Sequence, residues 1–286
     1  MRLLTSLGTT LEMIKFEHTI FALPFALLST VLASEGLPEG GKLFWIVVAM
    51  VGARSAAMAF NRLADRRIDA QNPRTQTRAL PAGQLSVGFV ALFTLASCLL
   101  FVLAAFQLNP LCFRLSFPVL GILFFYSYTK RFTQFSHFFL GLCLGLAPLG
   151  AWIAVRGDVQ PTPLLLCLIV LLWTAGFDII YACQDVDFDE RQNLFSLPKQ
   201  LGVGRALMVS RSLHAAVVFL LVLFFFMEQL GWLSLLGIGL VGGLLAYEHS
   251  LVRPNDLSRI NAAFFTVNGY VSVLLFLTVG LDRIWF

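Results

Sequence analysis

Charge is scarce in this sequence. Only 13% of its 286 residues are charged, against 58% hydrophobic, and the mean hydropathy is +0.82. A soluble domain of this length could not cover so much apolar surface with so few polar groups, which leaves an integral membrane protein. The five cysteines, Cys98, Cys112, Cys143, Cys167 and Cys183, lie in or beside apolar stretches without the close pairing that zinc sites use, so they read as small packing residues. No basic patch exists either. The net charge of +4 is scattered between apolar runs, which argues against nucleic acid as a partner. Low-complexity segments and a separate soluble domain are also missing. A secretory signal is not expected, because Glu12, Lys15, Glu17 and His18 interrupt the place where its apolar core would begin, and the first apolar run reads as an uncleaved span.

What the chain does have is apolar runs long enough to cross about 30 Å of hydrocarbon. Nine are expected, near 17–34, 43–62, 86–107, 110–128, 135–155, 163–183, 205–227, 230–248 and 260–281. The third and fourth are separated only by Asn109-Pro110, and the seventh and eighth only by a few residues around Glu228. This predicts an all-α bundle of nine transmembrane helices, one domain over residues 1–286. Lys and Arg collect on cytoplasmic loops, which tests the assignment. With the N-terminus inside, only Lys42, Arg114, Arg156 and Arg283 of the twenty fall outside and Arg54 lies within the membrane, leaving fifteen on the cytoplasmic face.

Two acidic stretches end apolar runs on that same face, one at 61–69 and one at 178–189, as in a weak internal repeat. Asn61, Asp65 and Asp69 fall one helical turn apart and share a face. Asp178, Asp185 and Asp189 follow with a seven-residue and a four-residue step. Mg²⁺ takes hard oxygen ligands and joins one or two carboxylates to substrate phosphates, so two facing rows of this kind suit a metal-bridged diphosphate. The plainer alternative is that these acids are solvated or paired with Arg66, Arg67 and Arg191. Arg74, Arg78, Lys130 and Lys199 are candidates to grip diphosphate oxygens, or else cytoplasmic anchors.

Arg54 is the most telling single residue. A charged Arg at the centre of a span costs roughly 2.5–3.5 kcal/mol on insertion scales and therefore faces a polar cavity. It lies seven residues, two turns, before Asn61 and so looks into the same cavity one level deeper. Its partner is expected to be a carboxylate, either Glu17 or one on a substrate. His18 is a proton acceptor, a polar contact or an interface side chain. Most of the twenty-eight phenylalanines face lipid or pack, and a few could shield a cation with their ring faces.

The pattern resembles the UbiA superfamily of intramembrane prenyltransferases. Asn61-x-x-x-Asp65-x-x-x-Asp69 is similar to its first signature, and Asp178-x-x-Tyr181-Ala-x-x-Asp185-x-x-x-Asp189 to its second. Arg78-Ala-Leu-Pro-Ala-Gly83 resembles its R-x-L-P-x-G, and Tyr126-Ser-Tyr-Thr-Lys130-Arg131 its Y-P-x-x-K-R, with Ser127 in place of proline. The stretches RSAAMAFNR, FEHTIFALPFA and YACQDVDFD are similar to a bacterial branch that prenylates 4-hydroxybenzoate.

The resemblance implies a nine-helix bundle in the bacterial inner membrane with a cytoplasm-facing pocket. There Asp65, Asp69, Asp185 and Asp189 hold Mg²⁺ and diphosphate, aided by Asn61, Asp178 and Tyr181. It implies that Arg78 and Lys130 contact the diphosphate and Arg54 the carboxylate of an aromatic acid acceptor, that polyprenyl diphosphate is the donor, and that the departure at Ser127 touches only the local bend of its loop. Expected, then, is C-prenylation of 4-hydroxybenzoate in ubiquinone or menaquinone biosynthesis, with 1,4-dihydroxy-6-naphthoate as the alternative acceptor. Haem or chlorophyll prenylation would need a much bulkier acceptor. Outside enzymes, a transporter with an intramembrane Arg and Asp site is the rival.

Overall fold

The computed structural model describes residues 2–15 and 19–285, with side chains from position 8 onward. Glu17 and His18 lie outside the described residues. Regular structure among the described residues is helical, apart from an isolated bridge between Arg253 and Asp256. Eight helical stretches among the described residues are long and apolar enough to cross a membrane. They are α3 (Gly40–Gln71), α4 (Val87–Leu108), α5 (Pro110–Thr129), α6 (Ser136–Arg156), α7 (Pro161–Ala182) with its continuation, α10 (Val203–Met227), α11 (Trp232–Ser250) and α12 (Asn268–Trp285) with the π-helical turn Ala262–Val267 before it. Shorter helices are α1 (Arg2–Met13), α2 (Thr19–Ser34), α8 (Val186–Arg191) and α9 (Leu197–Leu201).

Of the first expected span, 17–34, the described residues form α2, which ends with it at Ser34. α2 has sixteen residues, about 24 Å of helix at 1.5 Å per residue, against the ~30 Å of hydrocarbon. It stops where Glu35 (φ 52) and Gly36 (φ 145) take positive φ and the Gly36 N–H closes on the Val31 carbonyl at 3.2 Å. Both narrow breaks expected from sequence are helix ends. Asn109 is extended (φ −168, ψ 166), and its side chain accepts from the Cys112 N–H at 2.8 Å to cap α5, which opens on Pro110. Between α10 and α11, Gln229 takes φ 50 and the Leu230 N–H returns to the Phe225 carbonyl.

The chain divides into two compact units, Met1–Thr19 with Phe44–Tyr128, and Ile20–Leu43 with Thr129–Phe286. Each carries one acidic row. In the first unit α3 runs 32 residues without a break, about 48 Å, so its polar end outreaches the hydrocarbon. A Cβ at Gly52 would come within 2.8 Å of the Phe101 backbone N on α4, which shows how closely the two helices approach. Met13, Ile14, Ala59, Ala79, Leu80, Leu85 and Val90 form a small core around the polar end of α3.

In the second unit α6 and α7 form an antiparallel hairpin around Gly157 (φ 75). Lipid tails are as apolar as Leu, so helices associate in membranes through close packing of small residues and not through the hydrophobic effect. Gly141 and Gly145, four apart on α6, supply that packing: side chains there would meet the carbonyls of Leu171 and Cys167. Deeper in this unit Asn268 ties a buried polar network together. It accepts from Trp173 Nε1 at 2.7 Å and donates to Glu248 Oε1 at 2.9 Å and to the Ala263 and Phe264 carbonyls at 3.0 and 3.1 Å. Those two carbonyls belong to the π-helical turn, whose wide hydrogen-bond spacing leaves backbone groups for a side chain to satisfy.

Candidate active site

The unbroken helix of α3 puts the first acidic row where its four-residue spacing demands. Asp65 and Asp69 are buried and Asn61 is half-buried, whereas Arg66 and Arg67 are exposed. The arginines found on Asp69 are two others, Arg78 and Arg62. Arg78 Nη1 donates to both oxygens of Asp69, at 2.8 and 2.9 Å. Arg62, 6% exposed, lies 3.9 Å from Asp69 Oδ2. Arg78 gets there because the loop after α3 is tightly wound. Asn72 closes an Asx turn on the Arg74 N–H at 2.9 Å, the Thr75 hydroxyl donates to the Asp69 carbonyl at 3.0 Å, and Gly83 takes φ 70 where the chain turns toward α4. Buried Ala79 and Leu80 anchor the far side of Arg78.

Asn61 Nδ2 donates to Asp65 Oδ2 at 3.2 Å and to Ser127 Oγ at 3.3 Å. The helix of α5 continues past Ser127, so the substituted proline position contributes a buried hydroxyl to the acidic row and not merely a change of bend. Arg54 Nη2 donates to the Lys15 carbonyl at 2.7 Å, and Arg62 Nε to the Met13 carbonyl at 3.3 Å. Both arginines thus meet carbonyls at the C-terminal end of α1, where cations are favoured. Arg74 is exposed.

The second row is not on one regular helix. α7 tightens to a 3₁₀ turn over Cys183–Asp185 and resumes as α8, so Asp178 sits on α7, Asp185 closes the 3₁₀ turn and Asp189 lies on α8. A 3₁₀ stretch inside a helix often marks a functional hinge or a strained sequence. Asp178 Oδ2 is 2.7 Å from His137 Nδ1. Asp189 Oδ2 accepts from the Ser196 hydroxyl at 2.8 Å, while Lys130 and Lys199 are near enough to attract its charge and Asp185 to repel it. Lys199 Nζ donates to the Leu194 and Asp189 carbonyls at 2.8 and 3.3 Å, which makes it a brace of the loop. The Phe195 N–H donates to the Lys130 carbonyl at 2.7 Å. Arg191 is exposed. The Tyr181 ring lies 4.1 Å from that of Phe264 on the π-helical turn.

Sequence reasoning passed over His137, Ser196 and the roles of Arg62 and Ser127. Arg62 had a visible signal, since it stands seven residues, two turns, before Asp69. His137 had a weaker one, a histidine at the head of an apolar run.

Residues 22–270 match the UbiA prenyltransferase family. The 4-hydroxybenzoate octaprenyltransferase of Vibrio atlanticus is 31% identical over 92% of this chain and 91% of its own length, and that of Methylobacillus flagellatus 30% over 87% and 83%. Among solved structures, a UbiA homologue from Aeropyrum pernix in its apo form is 32% identical with a TM-score of 0.85, covering 94% of this chain and 98% of that one. A UbiA homologue from Archaeoglobus fulgidus bound to GPP and Mg²⁺ has a TM-score of 0.71 over 96% and 99%, at 21% identity, a likeness of fold. The molecule is a multi-pass membrane enzyme that transfers prenyl groups. It belongs to the UbiA prenyltransferase family.

The donor set fits a hard divalent cation. Each row offers hard carboxylate oxygens, and within neither unit do three or more His, Cys, Asp or Glu gather at ligand spacing among the described residues. A dedicated protein cage is the habit of Ca²⁺; Mg²⁺ retains waters and completes its shell with substrate phosphates.

Proposed function

We propose that this enzyme transfers a polyprenyl group from polyprenyl diphosphate to a ring carbon of a hydroxylated aromatic acid, with 4-hydroxybenzoate as acceptor, in quinone biosynthesis. The observation that carries this reading is the intact pair of acidic rows in a chain about 30% identical, over nearly its whole length, to 4-hydroxybenzoate octaprenyltransferases. Asp65, Asp69, Asp185 and Asp189 would hold Mg²⁺, with Asn61, Asp178 and Tyr181 contributing to the diphosphate's setting. Bound there, the metal supplies Lewis-acid charge to the diphosphate oxygens.

Arg78 and Lys130 add positive charge where negative charge grows as the allylic C–O bond breaks. The delocalised cation is captured by the electron-rich ring carbon of the acceptor, whose carboxylate Arg54 holds; loss of the ring proton restores aromaticity. Exclusion of water protects the cation, and a site within nine membrane helices, opening to the cytoplasm of a bacterial inner membrane with the N-terminus inside, provides it. The test is direct: membranes containing the enzyme, a radiolabelled polyprenyl diphosphate and Mg²⁺ are given 4-hydroxybenzoate or 1,4-dihydroxy-6-naphthoate. A lipid-soluble product formed with 4-hydroxybenzoate is expected; product with the naphthoate alone would move the enzyme to that acceptor. Electrogenic uptake without product would favour a transporter.

A further inference from the structure

His137 stands in the first turn of α6, 3% exposed, and both its ring nitrogens are engaged. Nε2 accepts from the Leu197 N–H at 3.4 Å, and Nδ1 lies 2.7 Å from Asp178 Oδ2. A nitrogen that accepts has its lone pair free, so the proton of this imidazole is on Nδ1 and is donated to Asp178. Leu197 opens α9, and the residue before it, Ser196, holds Asp189. The imidazole therefore connects one end of the second acidic row to the segment that grips the other end.

This connection answers a need set by the backbone. The 3₁₀ turn at Cys183–Asp185 interrupts the helix, so helical geometry alone does not set the spacing between Asp178 and Asp189. The height of His137 against α7 is fixed independently, because Gly141 and Gly145 follow it at four and eight residues and lock α6 onto the carbonyls of Leu171 and Cys167. We propose that His137 is a positioning residue: through Asp178 on one side and the Leu197 backbone on the other, it holds the second row in register for a metal-bound diphosphate. This rests on the reading of that row given under Proposed function.

The two nitrogens can be tested separately. Asn places an amide N–H where Nδ1–H stands, whereas Gln reaches the position of Nε2. With the full-length enzyme in detergent, His137→Ala and His137→Gln are expected to raise the Mg²⁺ requirement and the KM for geranyl diphosphate by roughly 10-fold or more, the usual effect of removing a partner of a ligating carboxylate. The acceptor KM should stay unchanged, and His137→Asn should recover most of the loss. A readout free of turnover is the thermal shift produced by Mg²⁺ with geranyl S-thiolodiphosphate, expected to shrink in His137→Ala and Ser196→Ala and to survive in His137→Asn. The double variant His137→Ala/Ser196→Ala should lose less than the two single losses combined, because both act on one row. Rescue by Gln instead of Asn, or an unchanged thermal shift in His137→Ala, would overturn the proposal. Asp185→Ala separates the two levels: if it is inactive while His137→Ala keeps wild-type Mg²⁺ dependence, only the role of His137 is lost; if it turns over normally, the reading of the row is lost.

Discussion

Arg78 gives both carboxylate oxygens of Asp69 the same guanidinium nitrogen, Nη1, at 2.8 and 2.9 Å. The acid at the far end of the first row is thus held by a cation from the loop that follows it, and Arg62 backs it from within the helix at 3.9 Å. An ammonium in place of the guanidinium would be a point charge on a shorter reach. Arg78→Ala is expected to lower kcat/KM for the diphosphate by about 10²-fold, the usual scale for one lost electrostatic donor, and Arg78→Lys to recover only part of it. Steady-state kinetics with geranyl diphosphate would decide; a fully active Arg78→Lys would show that a positive charge of any reach suffices there.

Gly141 makes the closest glycine-to-backbone approach in the second unit: a side chain there meets the Leu171 carbonyl, and neither backbone can yield without unpacking the helices. Gly141→Leu should destabilise the protein by more than the ~1–3 kcal/mol typical of overpacking and should abolish activity as His137 and Asp178 separate. Gly150, which has open space around it, is the control: Gly150→Ala should leave thermal unfolding in detergent unchanged.

Asn268 satisfies four partners at once, two of them the carbonyls of the π-helical turn. Asn268→Leu strands each of them and is expected to cost about 1–3 kcal/mol for every buried group left unpaired. Asn268→Asp should be no better, since it loses the donors and faces Glu248 with a second acid. Thermal unfolding of the purified variants measures both; an Asp variant as stable as wild type would contradict the donor assignment.

Arg54 is engaged with the Lys15 carbonyl through Nη2. If it also holds the acceptor, Arg54→Ala should raise the acceptor KM more than the diphosphate KM. Equal increases in both, or an unchanged acceptor KM, would assign it to the end of α1 alone.

Much of this was legible because the membrane imposes simple rules. Long apolar runs gave the spans, and Asn109-Pro110 marked a break because one residue caps the next helix while the other opens it. The first acidic row was legible because α3 is unbroken, so a step of four residues means one face. The second row concealed its 3₁₀ turn, since seven-residue spacing reads the same on a continuous helix. The end of the first run was legible too: it was expected at 34, where α2 stops before the left-handed turn at Glu35 and Gly36. The role of His137 stayed hidden because its partner Asp178 is 41 residues away, and only the docking of α6 on α7 brings them together.

The most direct test of the proposal that both rows serve one reaction is turnover of radiolabelled polyprenyl diphosphate and 4-hydroxybenzoate with Mg²⁺ by Asp65→Ala and Asp185→Ala, each shown to fold by its unfolding temperature. Loss of product in both, with the metal-dependent thermal shift lost as well, is expected. Wild-type turnover in either variant would contradict the claim that both rows serve one reaction.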